Sequence, residues 1–430
     1  MEFLDFLKTA KTAYHAVNNF SKMLDGSGFI KLEESSSWKL EKGFKYYFTR
    51  NNATIIAFSI PNNLDDYAFN ITATHSDSPT FKLKPNFKYL KGEYNMLNTE
   101  VYGGPIFSTW MDRPLDISGR VIINDEDKIK SKLISFDKPM AIIPNSSIHY
   151  YPELNTGVKL NPQVDLIPLF SLDKDKDLLD LISDKLGINK ENILGYDLFL
   201  SLLDRGMIGG AEDEFIFAPQ IDNLELSHAL INTFKDLDVN DKNINLAVVF
   251  DNEEIGSLTR EGAGSTILAY TLERISDVLG KTKEEHQKAL ASSFLISADN
   301  AQGFHPNYPG NYDPTNAPMM SKGIVIKSAA RGSYTTDGFS LAYFRYICNK
   351  ANALYQFNTN RSDKRGGGTL GAISLSHVSI PSVDIGLPQI AMHSAYETAA
   401  VNDYYEVVKA FKEFYKSYRT LEKDSLYNLK

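Results

Sequence analysis

Residues 245–257 read NLAVVFDNEEIGS, and the layout of the rest of the chain follows from this stretch. The run LAVVF carries no charge and has β-branched Val248 and Val249 at its centre. Such a run reads as a strand covered on both faces, the kind found in the parallel sheets of α/β proteins. It stops abruptly at Asp251-Asn252-Glu253-Glu254, just before Gly256. A loop pair of glutamates is ordinarily solvated. At the end of a buried strand two adjacent carboxylates repel, and they need a cation or a shared proton. One can then hold a metal while the other takes a proton from water.

On both sides of this stretch the sequence alternates in the same way. ATIIAFSI (53–60), YAFNITAT (67–74), SSFLISAD (292–299) and SVDIG (382–386) read as strands. NLELSHALINTFKDL (223–237), GSTILAYTLERISDVLG (264–280) and DGFSLAYFRYICNKA (337–351) read as helices, as do residues 3–25 and a closing segment from Asp403 to about Leu421. Strand and helix in alternation imply an α/β sheet with helices on its faces. Between 88 and 217 the texture changes to short strand-like pieces, ISGRVIIN, KLISF, MAIIP and EFIFAPQ, with one helical stretch, DLLDLISDKLG. The expected architecture is one α/β domain formed by 1–87 and 218–430, interrupted by a β-rich domain over 88–217.

In open α/β sheets, ligands sit outside the carboxyl ends of the strands. Several of the strands here end in acids or histidine. ITATHSDSP brings His75 and Asp77, two residues apart and so on one face of an extended chain. A carboxylate beside a metal-binding histidine is a normal orienting partner. FAPQIDNL brings Asp222, which alone would read as a helix N-cap. FLISADNAQGFHP brings Asp299 and, beyond it, His305, a substrate contact or a packed loop residue. IAMHSAYE brings His393, with Glu397 four residues on. His228 reads as a structural helix residue and Cys348 as a buried helix thiol. Singly, each strand-end group has an ordinary structural reading. Together, two histidines and four carboxylates form a set of N and O ligands that suits zinc, with manganese or cobalt as alternatives. The set is large enough for two metals sharing a bridging carboxylate.

The chain of 430 residues is long enough for more than one domain, and its net charge of −9 argues against a general nucleic-acid binder. One cysteine cannot form an internal disulfide. No run approaches the roughly 18 apolar residues of a membrane span. The opening MEFLDFLKTAKTAYHAV reads as an amphipathic helix rather than a signal peptide. A cytoplasmic protein without membrane or nucleic-acid partners is the expectation.

The segments THSDSP, YGGPIFSTWMDRPLDISGRV, IHYYPELNTGVKLNPQ, APQIDNL, FDNEEIGS, SADNAQGFHPNYP, GGGTLGAIS and VDIGLPQIAMHSAYE occur in this order from about residue 70 onward. In this set the chain resembles the M18 metallopeptidases, the aspartyl aminopeptidase and aminopeptidase I group. The early YHAV fits as well. The resemblance implies an aminopeptidase that removes the N-terminal residue of peptides at a mixed-sheet zinc-peptidase domain, with the β-rich domain serving dimerisation. It implies two Zn2+ per subunit, one held by His75 and Asp299, the other by Glu254 and His393, with Asp222 bridging both. Glu253 would be the general base toward the attacking water, and Asp77 would orient His75. A cis peptide is implied at Asp222–Asn223.

By the same resemblance, His149 would reach a neighbouring subunit's active site and help stabilise the oxyanion, and dimers would build a dodecamer. Lys327, in GIVIKSAAR, matches a position near the substrate. In relatives selective for acidic residues a histidine stands where this chain has Gln302, so a strict preference for aspartate or glutamate is in doubt. Two other readings remain at this point. One is a deacylase or carboxypeptidase built on the same metals. The other is an oligomeric shell without catalysis.

Overall fold

The computed structural model describes residues 1–239, 241–364 and 366–429. Its centre is a nine-stranded mixed sheet. Asn243–Phe250 lies between Thr54–Ser59, antiparallel to it, and Ala68–His75, parallel to it. Phe294–Ala298 and then Ser382–Gly386 continue the parallel run. Ile324–Lys327 turns antiparallel again beyond them.

The apolar run at 246–250 is uninterrupted because both of its faces are covered. Ile244, Leu246, Val248 and Phe250 enter one core with Ile267, Leu272 and Ile275 of the helix Ile267–Val278. Ala247 and Val249 enter a second core with helices Ile221–Lys235, Gly338–Ala351 and Val401–Lys416. A period of two therefore sends alternate residues to opposite layers. The α/β expectation holds.

A six-stranded antiparallel sheet draws its strands from Thr80–Lys91 through Ile193–Leu202. It has its own core around Phe81, Trp110, Ile117 and Leu198, closed by Leu178 and Ile182 of the helix Leu178–Leu186. Phe215–Ala218 does not join that sheet. It pairs with Glu397–Ala400 in a five-stranded sheet that also holds Pro388–Ile390 and Ala301–Gln302. MAIIP makes only isolated bridges, Ala141 to Leu115, Ile142 to Leu169 and Ile143 to Met111.

Two helix expectations are corrected. The opening helix is two helices, Glu2–Leu7 and Ala13–Gly26. Between them Lys11 is drawn into ion pairs with Asp116 and Asp137, at 2.7 and 2.6 Å, and Thr12 is extended. The closing helix ends at Lys416 and gives way to the hairpin Arg419–Lys423 and Leu426–Leu429. Arg419 is buried there against the rings of Phe294 and Tyr343, which pulls the chain out of helical geometry and back onto the sheet. Among the described residues no helix is long and apolar enough to cross a membrane.

Candidate metal centre

The sheet register levels three of the ligand-bearing strand ends. Phe250 pairs with His75, and Ser297 pairs with Ala73, so His75, Asp299 and the turn Glu253–Ile255 emerge side by side. Asp222 arrives from Phe215–Ala218, at the non-helical start of Ile221–Lys235, and the Asp222–Asn223 peptide is cis. His393 comes from the loop between Pro388–Ile390 and Glu397–Ala400.

The contacts within this group divide into two halves. His75 Nε2 lies 3.5 Å from Asp222 Oδ1 and 3.4 Å from Asp299 Oδ1. His393 Nε2 lies 3.6 Å from Asp222 Oδ2 and 3.4 Å from Glu254 Oε2. Asp222 thus turns one oxygen to each histidine. Ligand atoms of His75, Asp222 and Glu254 all fall within 4.8 Å of one another.

These separations are long for hydrogen bonds but fit ligands around a shared ion. Two atoms each about 2.0–2.1 Å from one tetrahedral zinc stand about 3.3 Å apart. Asp222 Oδ1 and Glu254 Oε1 are buried without a hydrogen-bond partner. Buried carboxylate oxygens are costly in that condition, and a cation relieves it. The donors are imidazole nitrogen and carboxylate oxygen, which zinc accepts. On the contacts, the orphaned oxygens and the donor types, the residues fit metal.

The electrostatics show the same crowding. Burial pushes the Glu253 carboxyl up to about 7, with nearby acids adding to the rise and His75 opposing it. Burial and the Asp222 charge hold Glu254 well above the usual carboxylate range. Burial and Asp222 likewise push Glu397 up to about 8. Burial works against a charged His75, yet the carboxylates of Asp222, Asp299 and Asp77 outweigh it and raise its pKa well above the ordinary value. His393 is raised by Asp222 in the same way against its burial. Asp299 moves down despite burial, because the Lys327 ammonium faces it.

A layer of polar groups holds these side chains from behind. Asp77 Oδ1 lies 3.4 Å from His75 Nδ1, whose nearest neighbour is the Asp77 carbonyl at 3.2 Å. The same carboxylate accepts the backbone N–H groups of Glu253 and Glu254, both at 3.1 Å, and the Tyr102 hydroxyl at 2.8 Å. His393 Nδ1 donates to the Gly104 carbonyl at 3.1 Å. The preceding Gly103 has φ +71°, and a Cβ there would stand 3.1 Å from Glu254 Cβ. Glu397 accepts the backbone N–H groups of Asp222 and His393.

A pocket of about 270 Å³ opens over the centre. Asp222, Glu253, Asp299, His393, Gln302 and Lys327 line it, together with Tyr334, Arg361 and several asparagines. Gln302 is exposed there. Lys327 is buried, donates to the Asn300 carbonyl at 2.8 Å and lies 3.8 Å from Asp299 Oδ2. His305 lies outside the lining. Its Nδ1 accepts the Asn307 N–H, and its ring packs 4.8 Å from that of Tyr308. His149 is exposed on a loop of the β-rich part, also outside the lining.

Sequence reasoning gave no role to Tyr102, Glu397 or Arg361. Tyr102 and Glu397 stand inside the quoted motifs YGGP and HSAYE, which was the available signal. Arg361, paired with Asp363 at 2.8 Å, had none.

Comparison with known proteins agrees with the resemblance seen in the sequence. The model of the aminopeptidase I zinc metalloproteases (M18) matches residues 6–415. A probable M18 family aminopeptidase 2 of Clostridium novyi is 45% identical over 423 residues, covering 96% of this chain and 98% of its own. Aspartyl aminopeptidase 1 of Schizosaccharomyces pombe is 34% identical over 456 residues, covering 98% of this chain and 95% of its own. The mApe1 dodecamer of S. cerevisiae superposes with a TM-score of 0.84 at 27% identity, over 96% of this chain and 95% of that one. Matches of this extent mean that the chain belongs to the M18 family of aminopeptidases.

Proposed function

We propose that this aminopeptidase works through two zinc ions, with His75 and Asp299 on one side, Glu254 and His393 on the other, and Asp222 between them. The observation that carries this reading is the Asp222 carboxylate, whose Oδ1 faces His75 and whose Oδ2 faces His393. Bound at such a site, zinc lowers the pKa of water and polarises a carbonyl; manganese or cobalt would supply the same chemistry.

Glu253 is the general base. It lines the pocket beside Asp222 and Asp299, where a carboxylate can meet water held at the centre and exchange a proton with it. It removes a proton from the attacking water and delivers it to the leaving amine. Asp77 fixes the backbone of Glu253 and Glu254 and the ring of His75, so base and ligands keep their relative places. The free α-amino group of a peptide, a cation, fits a site this rich in acids. That restricts cleavage to the first residue.

We read the first-residue preference as hydrophilic rather than strictly acidic. The cations of the pocket are already engaged, Lys327 with Asn300 and Asp299 and Arg361 with Asp363. Gln302 adds an amide, which hydrogen-bonds without charge. A related protein is an aspartyl aminopeptidase by name, which keeps acidic residues within the accepted set.

We also read the protein as a homo-oligomer of dimers, on the scale of the dodecameric relative. Ile148, Tyr150 and Tyr151 beside His149 are exposed, Tyr150 at 88%, and a second copy would cover them. The β-rich part would form the dimer contact.

The test pairs metal analysis with substrate choice. Zinc bound at two per chain, with hydrolysis of aminoacyl anilides carrying a free amine, is expected. Activity confined to N-acyl amino acids would overturn the aminopeptidase assignment at this site. A survey of first residues then decides the preference, and activity on aspartyl and glutamyl substrates alone would refute the broader reading.

A further inference from the structure

Glu397 opens the strand Glu397–Ala400, and its pairing partner is Ala218, at the end of Phe215–Ala218. Two ligand-bearing segments leave from this one rung. The chain beyond Ala218 reaches Asp222, and the chain before Glu397 carries His393. The Glu397 side chain closes both. Its Oε2 accepts the Asp222 N–H at 3.0 Å, and its Oε1 accepts the His393 N–H at 2.8 Å. It is only 2% exposed, so the two bonds form away from water.

The His393 segment needs that hold. Ala391 and His393 have φ of +60° and +68°, in the left-handed region that non-glycine residues seldom occupy. The bond to Glu397 fixes the backbone of His393 there. The network then extends to the other side of the centre. Gln389 Nε2 donates to Glu397 Oε1 at 3.2 Å, and Asn300 Nδ2 donates to Gln389 Oε1 at 2.9 Å. Asn300 follows the ligand Asp299, and its carbonyl accepts from Lys327, which faces the Asp299 carboxylate.

We infer that Glu397 is a positioning residue that locks Asp222 and His393 into one unit and so sets the affinity of both metal positions together. The inference rests on the two-metal reading above. A carboxylate can do this and an amide cannot, because glutamine offers one acceptor oxygen where two N–H groups must be met.

The experiment measures zinc affinity and stoichiometry by competition with a chelator, and the visible absorption spectrum of the cobalt-loaded protein, in the full chain and its variants. Glu397→Gln is expected to weaken both metal positions by about 10–100-fold, as loss of a partner behind a ligand does. The cobalt spectrum is expected to change with it. Asp403→Asn is the matched control. Asp403 is equally buried and accepts two backbone N–H groups, from Ser321 and Gly323, each at 2.7 Å, but it lies outside the centre and its pocket. It is expected to lower thermal stability and leave zinc affinity unchanged.

Should Glu397→Gln fail to fold, Glu397→Asp keeps the charge but shortens the reach, and it is expected to weaken at least one position. Affinities equal to wild type at both positions in a folded variant would overturn the role. Weakening of the His393 side alone in Glu397→Gln would overturn the coupling. A wild-type protein that binds no zinc would instead refute the metal centre itself, and this inference with it.

Discussion

Asp77 Oδ1 accepts the backbone N–H of Glu253 at 3.1 Å. Its other oxygen accepts that of Glu254 at the same distance, while the carboxylate also stands against the His75 ring. One side chain thus joins His75, at the end of Ala68–His75, to Glu253 and Glu254, which follow Asn243–Phe250. Asp77→Asn keeps the shape but points an N–H₂ at a backbone N–H. Zinc affinity is expected to fall about 10–100-fold, with a parallel loss of turnover. Chelator competition on the folded variant checks this, and wild-type affinity would show that Asp77 only supports the loop.

Glu253 and Glu254 are neighbours in sequence with different surroundings. Glu254 faces His393 at 3.4 Å, whereas Glu253 lines the pocket mouth. Glu253→Gln is therefore expected to keep its metal and lose about 10²–10⁴-fold in kcat, the range of general acid–base catalysis. Metal content by mass spectrometry and steady-state kinetics decide it together. A variant that turns over normally removes Glu253 as base, and one that loses zinc makes it a ligand.

The sheet was legible in the sequence for a simple reason. Strands buried on both faces, such as 246–250 and 294–298, are mostly apolar and carry no charge, so the acids at their ends stand out. His75, Asp299 and the glutamate pair could be picked out on that ground. Asp222 and His393 were harder, because they lie on connections into the small five-stranded sheet and each has an ordinary structural reading. The expectation that they are ligands came from family motifs rather than from periodicity. Lys11 and Arg419 were not legible at all. Each breaks a helical pattern through a long-range contact, Lys11 with Asp116 and Arg419 with Phe294, that no local window contains. Glu397 stood in view four residues after His393, but its two backbone partners are far apart in the chain and only the fold brings them together.

The crowding of acids gives a pH dependence with a definite sign. In protein stripped by chelation, Glu253 titrates near 7 and Glu397 near 8, and His75 and His393 are held above their ordinary values. All four keep protons that the unfolded chain has released, so stability falls as pH rises through them. Below about pH 6.5 the buried His15 and His228, pushed down to about 4 and about 3, act in the opposite direction. The clean window is therefore pH 6.5–8, where each extra proton held is worth about 1.4 kcal/mol per pH unit. Thermal unfolding of stripped protein is expected to move to lower temperature across this window. The zinc-loaded protein should lose less, since its cations compensate the acids. Part of the slope should persist, because Asp403, near 7, lies apart from the centre. Equal slopes with and without zinc would mean that the centre is not the source.

His149 is exposed, flanked by exposed Ile148 and Tyr150, and absent from the pocket of its own chain. If it serves catalysis it must do so across a subunit contact. His149→Ala is expected to lower turnover while leaving zinc content unchanged, because it holds no ligand. The decisive measurement is mixing. His149→Ala and Glu253→Gln protomers are dissociated, combined in equal amounts and reassociated. Random pairing gives sites that draw both intact residues, one from each chain, in about a quarter of cases. Activity should rise toward that fraction of the wild-type value. A mixture no more active than the sum of its two parents would place His149 outside catalysis, since a residue acting within its own chain cannot be supplied by a partner.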